Sequence, residues 1–342
     1  MKIAIVYNAR PTEYERNDPQ LEKHIEGDEW KTIEAIGEAV IQNGHSVRYF
    51  VIGPEIYEQL KKSKNQIDLL FNLSEGIGTG ADRESHIPLI CEILSIPYTG
   101  PSPLSSALIL NKSRAKEIWR ANGVRTALSQ LFESADTVLV KTLSFPLIVK
   151  PNNEGSGIGI KSNSIVKNRS ELKAAVGKII EEYHQPALVE AFLPGREFTV
   201  AISGCGAKAK TLPIVEINFE AFPKDAPPID SYEAKFVYGA TGLSEMTKTE
   251  FCPAIIDKKL EIQINTLALA AYTSIGCRDF GRVDIRLDAH NIPYVMEINH
   301  PPGLMSDPNE SSFFTIAGRA GGLTFKQLIG TILNSATSRL GL

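Results

Sequence analysis

The residues with the clearest chemical content lie in two neighbouring runs, Gly281–Arg282–Val283–Asp284–Ile285–Arg286–Leu287 and Ile292–Pro293–Tyr294–Val295–Met296–Glu297–Ile298–Asn299. Both alternate in character, and Asp288–Ala289–His290–Asn291 supplies a turn between them, so they read as a β-hairpin. Alternation puts Val283, Ile285 and Leu287 on one face and Arg282, Asp284 and Arg286 on the other. In the second run Val295, Glu297 and Asn299 share a face, opposite Ile292, Tyr294, Met296 and Ile298. The hairpin therefore gathers Asp284, Glu297 and Asn299. Two carboxylates and an amide oxygen are hard ligands, suited to Mg2+ held between protein and nucleotide phosphates. Arg282 beside them can stabilise charge on a transferring phosphoryl group. The competing reading is a solvated polar face whose ion pairs contribute little. Asn299–His300–Pro301–Pro302–Gly303 then leaves the strand in a turn whose backbone amides can form an oxyanion site. His300 has no second histidine at ligand spacing and reads as a structural neighbour.

A second centre is Lys150–Pro151–Asn152–Asn153–Glu154–Gly155–Ser156–Gly157–Ile158–Gly159–Ile160, between two strand candidates. Glycines there let backbone N–H groups converge on an anion, and Lys150 adds a positive charge. The Walker pattern GxxxxGK[ST] is absent and no helix follows directly, so this is neither a Walker loop nor a dinucleotide fingerprint. A glycine-rich hairpin turn remains the alternative. Lys112 opens a helix, an unusual place for a cation given the helix dipole. Either it is a solvated surface lysine, or it joins Lys150 on one anion, for which ATP phosphates are the natural ligand.

These residues need a frame to hold them. The 342-residue chain is 43% hydrophobic and 22% charged, enough for two or three compact units with ordinary cores. A net charge of −4 without a basic block argues against nucleic acid as the main partner. No apolar run has the length of a membrane span, and MKIAIVYNAR reads as a first strand rather than a signal peptide. Cys91, Cys205, Cys252 and Cys277 are scattered and read as buried thiols, which suits the cytoplasm. Strands at Lys2–Tyr7, Ser46–Ile52 and Ile67–Leu73 alternate with helices at Asp28–Asn43 and Glu84–Leu94, the latter with Pro88 near its first turn. In the Asp28–Asn43 helix Trp30, Ile33, Ile36 and Val40 form the apolar stripe. This is the pattern of a right-handed doubly wound layer. Pro97–Pro103 then reads as a junction. A helix over Lys112–Ala121, a strand over Phe145–Lys150, a helix over Ser170–Tyr183 and strands at Ala187–Phe192 and Glu197–Ser203 make a small α+β unit. A strand at Leu212–Ile217 and helices over Ile255–Thr273 and Thr324–Asn334 accompany the hairpin. The Pro-, Gly- and Lys-rich stretch 221–249 between them reads as a lid or binding loop.

Taken in order, Ile96–Gly100, Asn111–Lys112, Lys150–Ser156, Leu188–Leu193 with Gly195–Val200, Tyr232–Phe236, Gly281–Asp284, Glu297–Asn299 and Gly303 resemble the D-alanine–D-alanine ligase branch of the ATP-grasp superfamily. The resemblance implies an α/β ATP-grasp fold with an N-terminal Rossmann-like domain (1–103), a small central α+β lid domain (104–192) and a C-terminal α+β domain (193–342). It implies that Lys112 and Lys150 hold ATP phosphates and that Ser156, with Glu154 in the same turn, closes over them. Glu190 would accept from the adenine amino group, with Ala191, Phe192 and Leu193 beside it, and Glu197 would bind the ribose. Asp284, Glu297 and Asn299 would bind two Mg2+ ions, with Mn2+ as a substitute. Lys235 would reach the γ-phosphate, and Arg282 with the Gly303 amide would stabilise a tetrahedral intermediate.

The implied activity is an ATP-dependent carboxylate–amine ligase, working through an acyl-phosphate on amino-acid or peptide substrates as a homodimer. The chain departs from the family where the substrates sit. Tyr7–Glu15 replaces the Gly-Gly-x-Ser-x-Glu segment, with Glu13 or Glu15 as substitutes for its glutamate. Phe71–Gly76 with Arg83–Glu84 lacks the His-Gly pattern of the true ligases. Phe236 stands for the lid tyrosine, and Pro308 and Asn309 occupy the neighbourhood of a substrate-binding serine. These changes favour a different acid–amine pair over D-alanine itself. A genuine D-alanine–D-alanine ligase is the second reading and a non-catalytic ATP-binding scaffold the third. A nicotinamide enzyme is disfavoured, because GxGxxG is missing after the first strand.

Overall fold

The apolar run at the N-terminus forms β1 (Lys2–Tyr7), buried after its first residue. The structure, a computed structural model, describes residues 1–10, 27–219, 228–229, 250–310 and 312–342. Lys235, Phe236, Glu13, Glu15 and nearly all of the 221–249 stretch lie outside the described residues. α1 (Trp30–Gln42), β2 (Ser46–Val51), α2 (Ile56–Ser63), β3 (Leu69–Leu73) and α3 (His86–Leu94) follow β1. The strands make a parallel sheet in the order β2-β1-β3. Both faces of β1 are covered, so its side chains divide between two cores. Ile3, Ile5 and Tyr7 meet α1, while Ala4 and Val6 meet α2 and α3. Ile33, Ile36 and Val40 are the buried stripe of α1. Trp30 is not part of that stripe: it opens the helix, half exposed, with its ring edge-on to Tyr49 at 5.0 Å. Helix α2, not anticipated from sequence, buries Ile56, Leu60 and the small Ser63.

The proline-rich junction passes at once into α4 (Pro103–Leu110), capped by Ser102 and begun by proline, where a missing N–H costs nothing. α5 (Lys112–Ala121), β4 (Ser129–Phe132), β5 (Leu147–Pro151), β6 (Ile165–Val166), α6 (Arg169–Tyr183) and β7 (Ala187–Ala191) come next. Their strands form an antiparallel sheet in the order β4-β7-β5-β6. The third sheet combines β8 (Glu197–Gly204), β9 (Lys210–Thr211), β10 (Val215–Ile217), β11 (Glu250–Phe251), β12 (Asp279–Leu287) and β13 (Pro293–Asn299). Its order is β11-β10-β8-β12-β13, with β9 paired to β8. α7 (Lys258–Ser274), α8 (Phe313–Ala320) and α9 (Phe325–Leu340) complete the described elements. α9 runs six residues past the expected end and stops at Gly341, whose φ of 71° suits glycine.

Asp279 ties the first and third sheets together. Fully buried, it accepts from the Gly100 N–H at 3.0 Å, Ser335 Oγ at 2.9 Å and Arg339 Nη2 at 2.6 Å. All four cysteines are free; Cys91 and Cys277 are buried, but Cys205 and Cys252 only partly. Among the described residues no helix is long and apolar enough to cross a membrane.

The hairpin β12–β13 differs from strict alternation at one point. Asp284 opposes Glu297 but Ile285 opposes Val295, so Met296 is an extra residue in a bulge. The bulge puts both Val295 and Ile298 into the core with Val283 and Ile285. Val295 therefore does not share a face with Glu297 and Asn299, as uninterrupted alternation would require.

Candidate functional site

Each element of the site is held by its neighbours before any ligand arrives. The N-terminus of α5 is fastened to the strand-end loop after β5. Asn111 caps the helix by accepting from Arg114 N–H and also accepts from Asn152 Nδ2 at 2.9 Å. Asn152 Oδ1 in turn accepts from the Ser113 N–H at 2.9 Å, and its carbonyl accepts from the Lys112 N–H at 3.0 Å. This clasp places Lys112 beside the glycine-rich turn. Its ammonium donates to the Glu154 carbonyl and lies 3.4 Å from a Glu297 carboxylate oxygen. Lys112 is 6% exposed, which removes the solvated-lysine reading. Its stem is buried while its charge bridges the second and third sheets.

The turn itself requires unusual backbone. Ser156, Gly157 and Gly159 have φ of 53°, 78° and 73°. A Cβ at Gly159 would stand 2.4 Å from Pro151 Cγ, so that position needs glycine for space as well as for conformation. Glu154 is anchored from outside the turn. Arg83, 3% exposed, ion-pairs with it at 3.1 Å and donates to the Asn153 carbonyl at 2.8 Å. Gln185 Nε2 donates to Glu154 at 2.6 Å. The first sheet's loop therefore clamps the turn of the second.

Lys150 leaves β5 fully enclosed, and its partner is Glu190 on β7, at 2.7 Å. Sequence reasoning did not single out the third member of this group. Lys116, 0% exposed, ion-pairs with the other Glu190 oxygen at 2.5 Å and donates to Thr126 Oγ1 at 2.8 Å. The signal was present: Lys116 follows Lys112 by four, on the same face as buried Ala115 and Trp119. Burial alone would push the Glu190 carboxyl up, but Lys116 and Lys150 outweigh it and hold it below the usual range. Burial acts against the Lys150 ammonium too, yet Glu190, Glu297 and Glu197 raise its pKa. Lys116 is pushed down to about 8 by burial, with Glu190 opposing and Lys150 adding to the fall. One carboxylate thus serves two lysines, and both of its oxygens are engaged. Glu190 is not turned toward open space.

At the end of β7, the Ala191 N–H donates to the Leu128 carbonyl and the Phe192 N–H to the Pro146 carbonyl. Leu193 is buried and Phe192 half-buried. Glu197, at the start of β8, accepts from Arg286 Nη1 at 2.6 Å.

On the hairpin, the register that opposes Asp284 to Glu297 also opposes Arg282 to Asn299. Asp284 collects three donors. Arg282 donates twice at 3.0 and 2.9 Å, Asn299 Nδ2 at 2.8 Å and Thr199 Oγ1 from β8 at 2.5 Å. The Arg282 guanidinium also lies 5.2 Å from the Phe313 ring centroid, which fixes its plane. Gly303 sits just past this strand, its carbonyl accepting from Ser312 Oγ at 2.5 Å. His300 is buried edge-on to Phe280 at 4.7 Å, and burial pushes its pKa down to about 3, so it is a neutral packing residue.

The donor chemistry here fits a magnesium ion completed by phosphate and water oxygens. Two carboxylates face each other across adjacent strands, and an amide adjoins them; a 180° turn of the Asn299 amide aims its oxygen where its NH2 now lies. Among the described residues no three His, Cys, Asp or Glu side chains converge on one point.

The structure thus joins Lys112, Glu154 and Glu297 by contacts, opposes Glu297 to Asp284, and gathers Arg282 and Asn299 on Asp284; Lys150 pairs with Glu190 and feels the Glu297 charge. Ser156 lies in the turn that Glu154 anchors, and Gly303 in the loop after Asn299. Lys235 is outside the described residues.

Comparison with known proteins bears on the family and the fold. Residues 120–334 match the family model described as D-ala D-ala ligase C-terminus. A D-alanine–D-alanine ligase from Bordetella petrii is 33% identical over 251 residues, 73% of this chain and 71% of that protein. The protein y4sG of Sinorhizobium fredii is 35% identical over 271 residues, 79% of this chain and 75% of that one. The crystal structure of a D-alanine–D-alanine ligase from Bacillus anthracis complexed with ATP superposes with a TM-score of 0.73 at 21% identity, covering 99% of this chain and 98% of that one. By its family match, its relatives and its architecture, the chain belongs to the D-alanine–D-alanine ligase-like family and has the ATP-grasp fold.

Proposed function

We propose that this chain is an ATP-dependent carboxylate–amine ligase that joins an amino acid or related acid to an amine through an acyl-phosphate, releasing ADP and phosphate. The observation that carries the reading is the bridge from Lys112 to Glu297, which links the glycine-rich turn and the lysines to the acidic hairpin. The units 1–103, 104–192 and 193–342 are its working parts, in a cytoplasmic homodimer. Asp284, Glu297 and Asn299 would hold Mg2+, which would offset the negative charge of the phosphates.

A carboxylate is a poor electrophile, so the acid oxygen first attacks the γ-phosphorus and ADP departs. Lys112 and Lys150 bind and orient the phosphates, and Lys150 exchanges its contact with Glu190 for them. Lys116 stays behind, so Glu190 is never left as an unpaired buried charge. The neutral amine then attacks the acyl carbon. Arg282 and the Gly303 N–H hold the resulting oxyanion, phosphate leaves with the C–O electron pair, and the amine proton is lost to water or phosphate. Closure of the glycine-rich turn, held by the Arg83–Glu154 pair, excludes water from the acyl-phosphate.

The pair of substrates is a non-standard one, since the departures fall at Tyr7–Glu15, Phe236 and Pro308–Asn309. ADP release screened against amino-acid pairs, with the product weighed by mass spectrometry, tests this. An amide other than the D-alanine dimer is the expected product. The D-alanine dimer as best product would return the chain to the activity named for its relatives, and nucleotide binding without ADP release from any pair would leave a scaffold.

A smaller effect tests the clasp. Asn111→Ala is expected to cost about 1 kcal/mol of stability through the lost helix cap. It is also expected to raise KM for ATP several-fold while kcat changes less, because the helix end that carries Lys112 loses its side-chain tie to Asn152. Equal effects on KM and kcat in steady-state assays would count against a purely positioning role.

A further inference from the structure

Arg286 has no part in the chemistry above, yet it is buried beside residues assigned to the nucleotide. It stands two residues after Asp284 on β12 and directly opposes Glu197 on β8. Only 3% of it is exposed. Nη1 donates to Glu197 at 2.6 Å, and Nη2 donates to the Pro228 carbonyl. The guanidinium lies 5.2 Å from the ring centroids of both Phe192 and Phe219, so two aromatic residues fix its plane. Nε is buried, with no hydrogen-bonding partner among the described residues.

That last fact asks for a ligand. A buried charged donor left unanswered is costly, and a buried Arg–Glu pair by itself is no better for stability than well-packed apolar side chains. A packing role alone would be filled by an aliphatic residue between the two phenylalanines. What the arrangement offers instead is a carboxylate, which only accepts, next to a guanidinium N–H, which only donates. A hydroxyl satisfies both at once.

We propose that Arg286 is a specificity residue for the nucleotide sugar: one ribose hydroxyl donates to Glu197 and accepts from Arg286 Nε. This rests on the ATP-dependent reading given above. A deoxy sugar leaves Nε unanswered in a site closed to water, so the ribonucleotide is preferred. Lysine does not replace arginine here, because an ammonium has neither the planar fork that answers Glu197 and Pro228 together nor the flat face that lies between the rings.

Isothermal titration calorimetry with AMP-PNP and its 2′-deoxy and 3′-deoxy forms, in the presence of Mg2+, tests the inference on wild type, Arg286→Lys and Arg286→Met. Wild type is expected to bind the ribonucleotide about tenfold or more tightly than one of the deoxy forms, the size of one lost charged hydrogen bond. In the variants that ratio falls to about twofold or less through weaker binding of the ribonucleotide, on the same scale. An unchanged ratio in Arg286→Lys, with circular dichroism and melting as in wild type, overturns the inference. The lysine variant keeps the charge beside Glu197, so the test stands even if the methionine variant does not fold. Wild-type binding without preference overturns the sugar role alone; no binding of any adenine nucleotide overturns the ligase reading and the sugar role with it.

Discussion

Glu297→Gln is expected to lower turnover roughly a hundredfold or more at saturating ATP and Mg2+, while the melting temperature stays close to that of wild type. The substitution keeps the shape of the side chain and removes one negative charge. That charge faces Asp284 across the strand pair and lies 3.4 Å from the Lys112 ammonium. With Glu297 a metal ligand, as proposed, the loss reaches both the metal and the lysine beside the turn. Its side chain is 19% exposed, so folding depends on it far less than on an enclosed ion pair. Asp284→Asn would be a poorer probe, because Arg282, Asn299 and Thr199 all converge on that carboxylate. Two readings separate the metal role from a general disturbance. The Mg2+ concentration for half-maximal rate should rise in the Gln variant, and circular dichroism should be unchanged. Near-normal turnover at ordinary Mg2+ would remove Glu297 from the metal site.

The hairpin shows how much of this was legible in the sequence and what was not. Polar and apolar residues alternate along β12, and that was enough to put Asp284 and Arg282 on one side. Along β13 the same rule works from Glu297 to Asn299 and fails at Val295, because an inserted Met296 shifts the phase of everything before it. A bulge leaves no compositional mark, so only pairing with β12 reveals it. Trp30 is a similar case. Its spacing matches the buried stripe of α1, but whether the first turn reaches the core depends on where β2 ends and Tyr49 stands. Short helices α2, α4 and α8 escaped notice because few residues bury one face; α4 is instead signalled by its Ser–Pro start. Lys150 and Lys112 were visible as lone cations at chain landmarks. Lys116 carried only the weaker signal of its spacing from Lys112, since a lysine inside a helix reads as solvent-facing until Glu190 is seen to lie behind it. Arg286 was read only as one of three polar residues on a strand face; its two aromatic neighbours come from distant parts of the chain.

The Lys116–Glu190–Lys150 group gives the second large effect, this time on stability. Glu190→Gln leaves two enclosed lysines without their ion-pair partner, and removing one side of a buried ion pair costs about 3–5 kcal/mol. For a chain of 342 residues unfolding as a whole, the melting temperature is expected to fall by roughly 4–7 °C in calorimetry at pH 7. Lys116→Met should cost clearly less, because Glu190 keeps Lys150 as its partner and methionine fills much of the same space. The order of the two variants is the test: if Lys116→Met is the more damaging, the carboxylate is not the hub of the group. The pH dependence follows from the same shifts. Glu190 has its folded pKa held below the unperturbed 4.5, so its contribution is complete above that value and is lost as pH falls through the folded pKa. Wild type should therefore lose stability on acidification below about pH 4.5, and Glu190→Gln should lose part of that slope. Lys116 acts at the other end. Its pKa falls from 10.5 to about 8 on folding, so between those values the unfolded chain binds more protons and this group makes stability rise with pH. Lys116→Met should remove that rise and leave the acid limb in place. An acid limb missing from Lys116→Met but intact in Glu190→Gln would contradict the assignment of charge within the group.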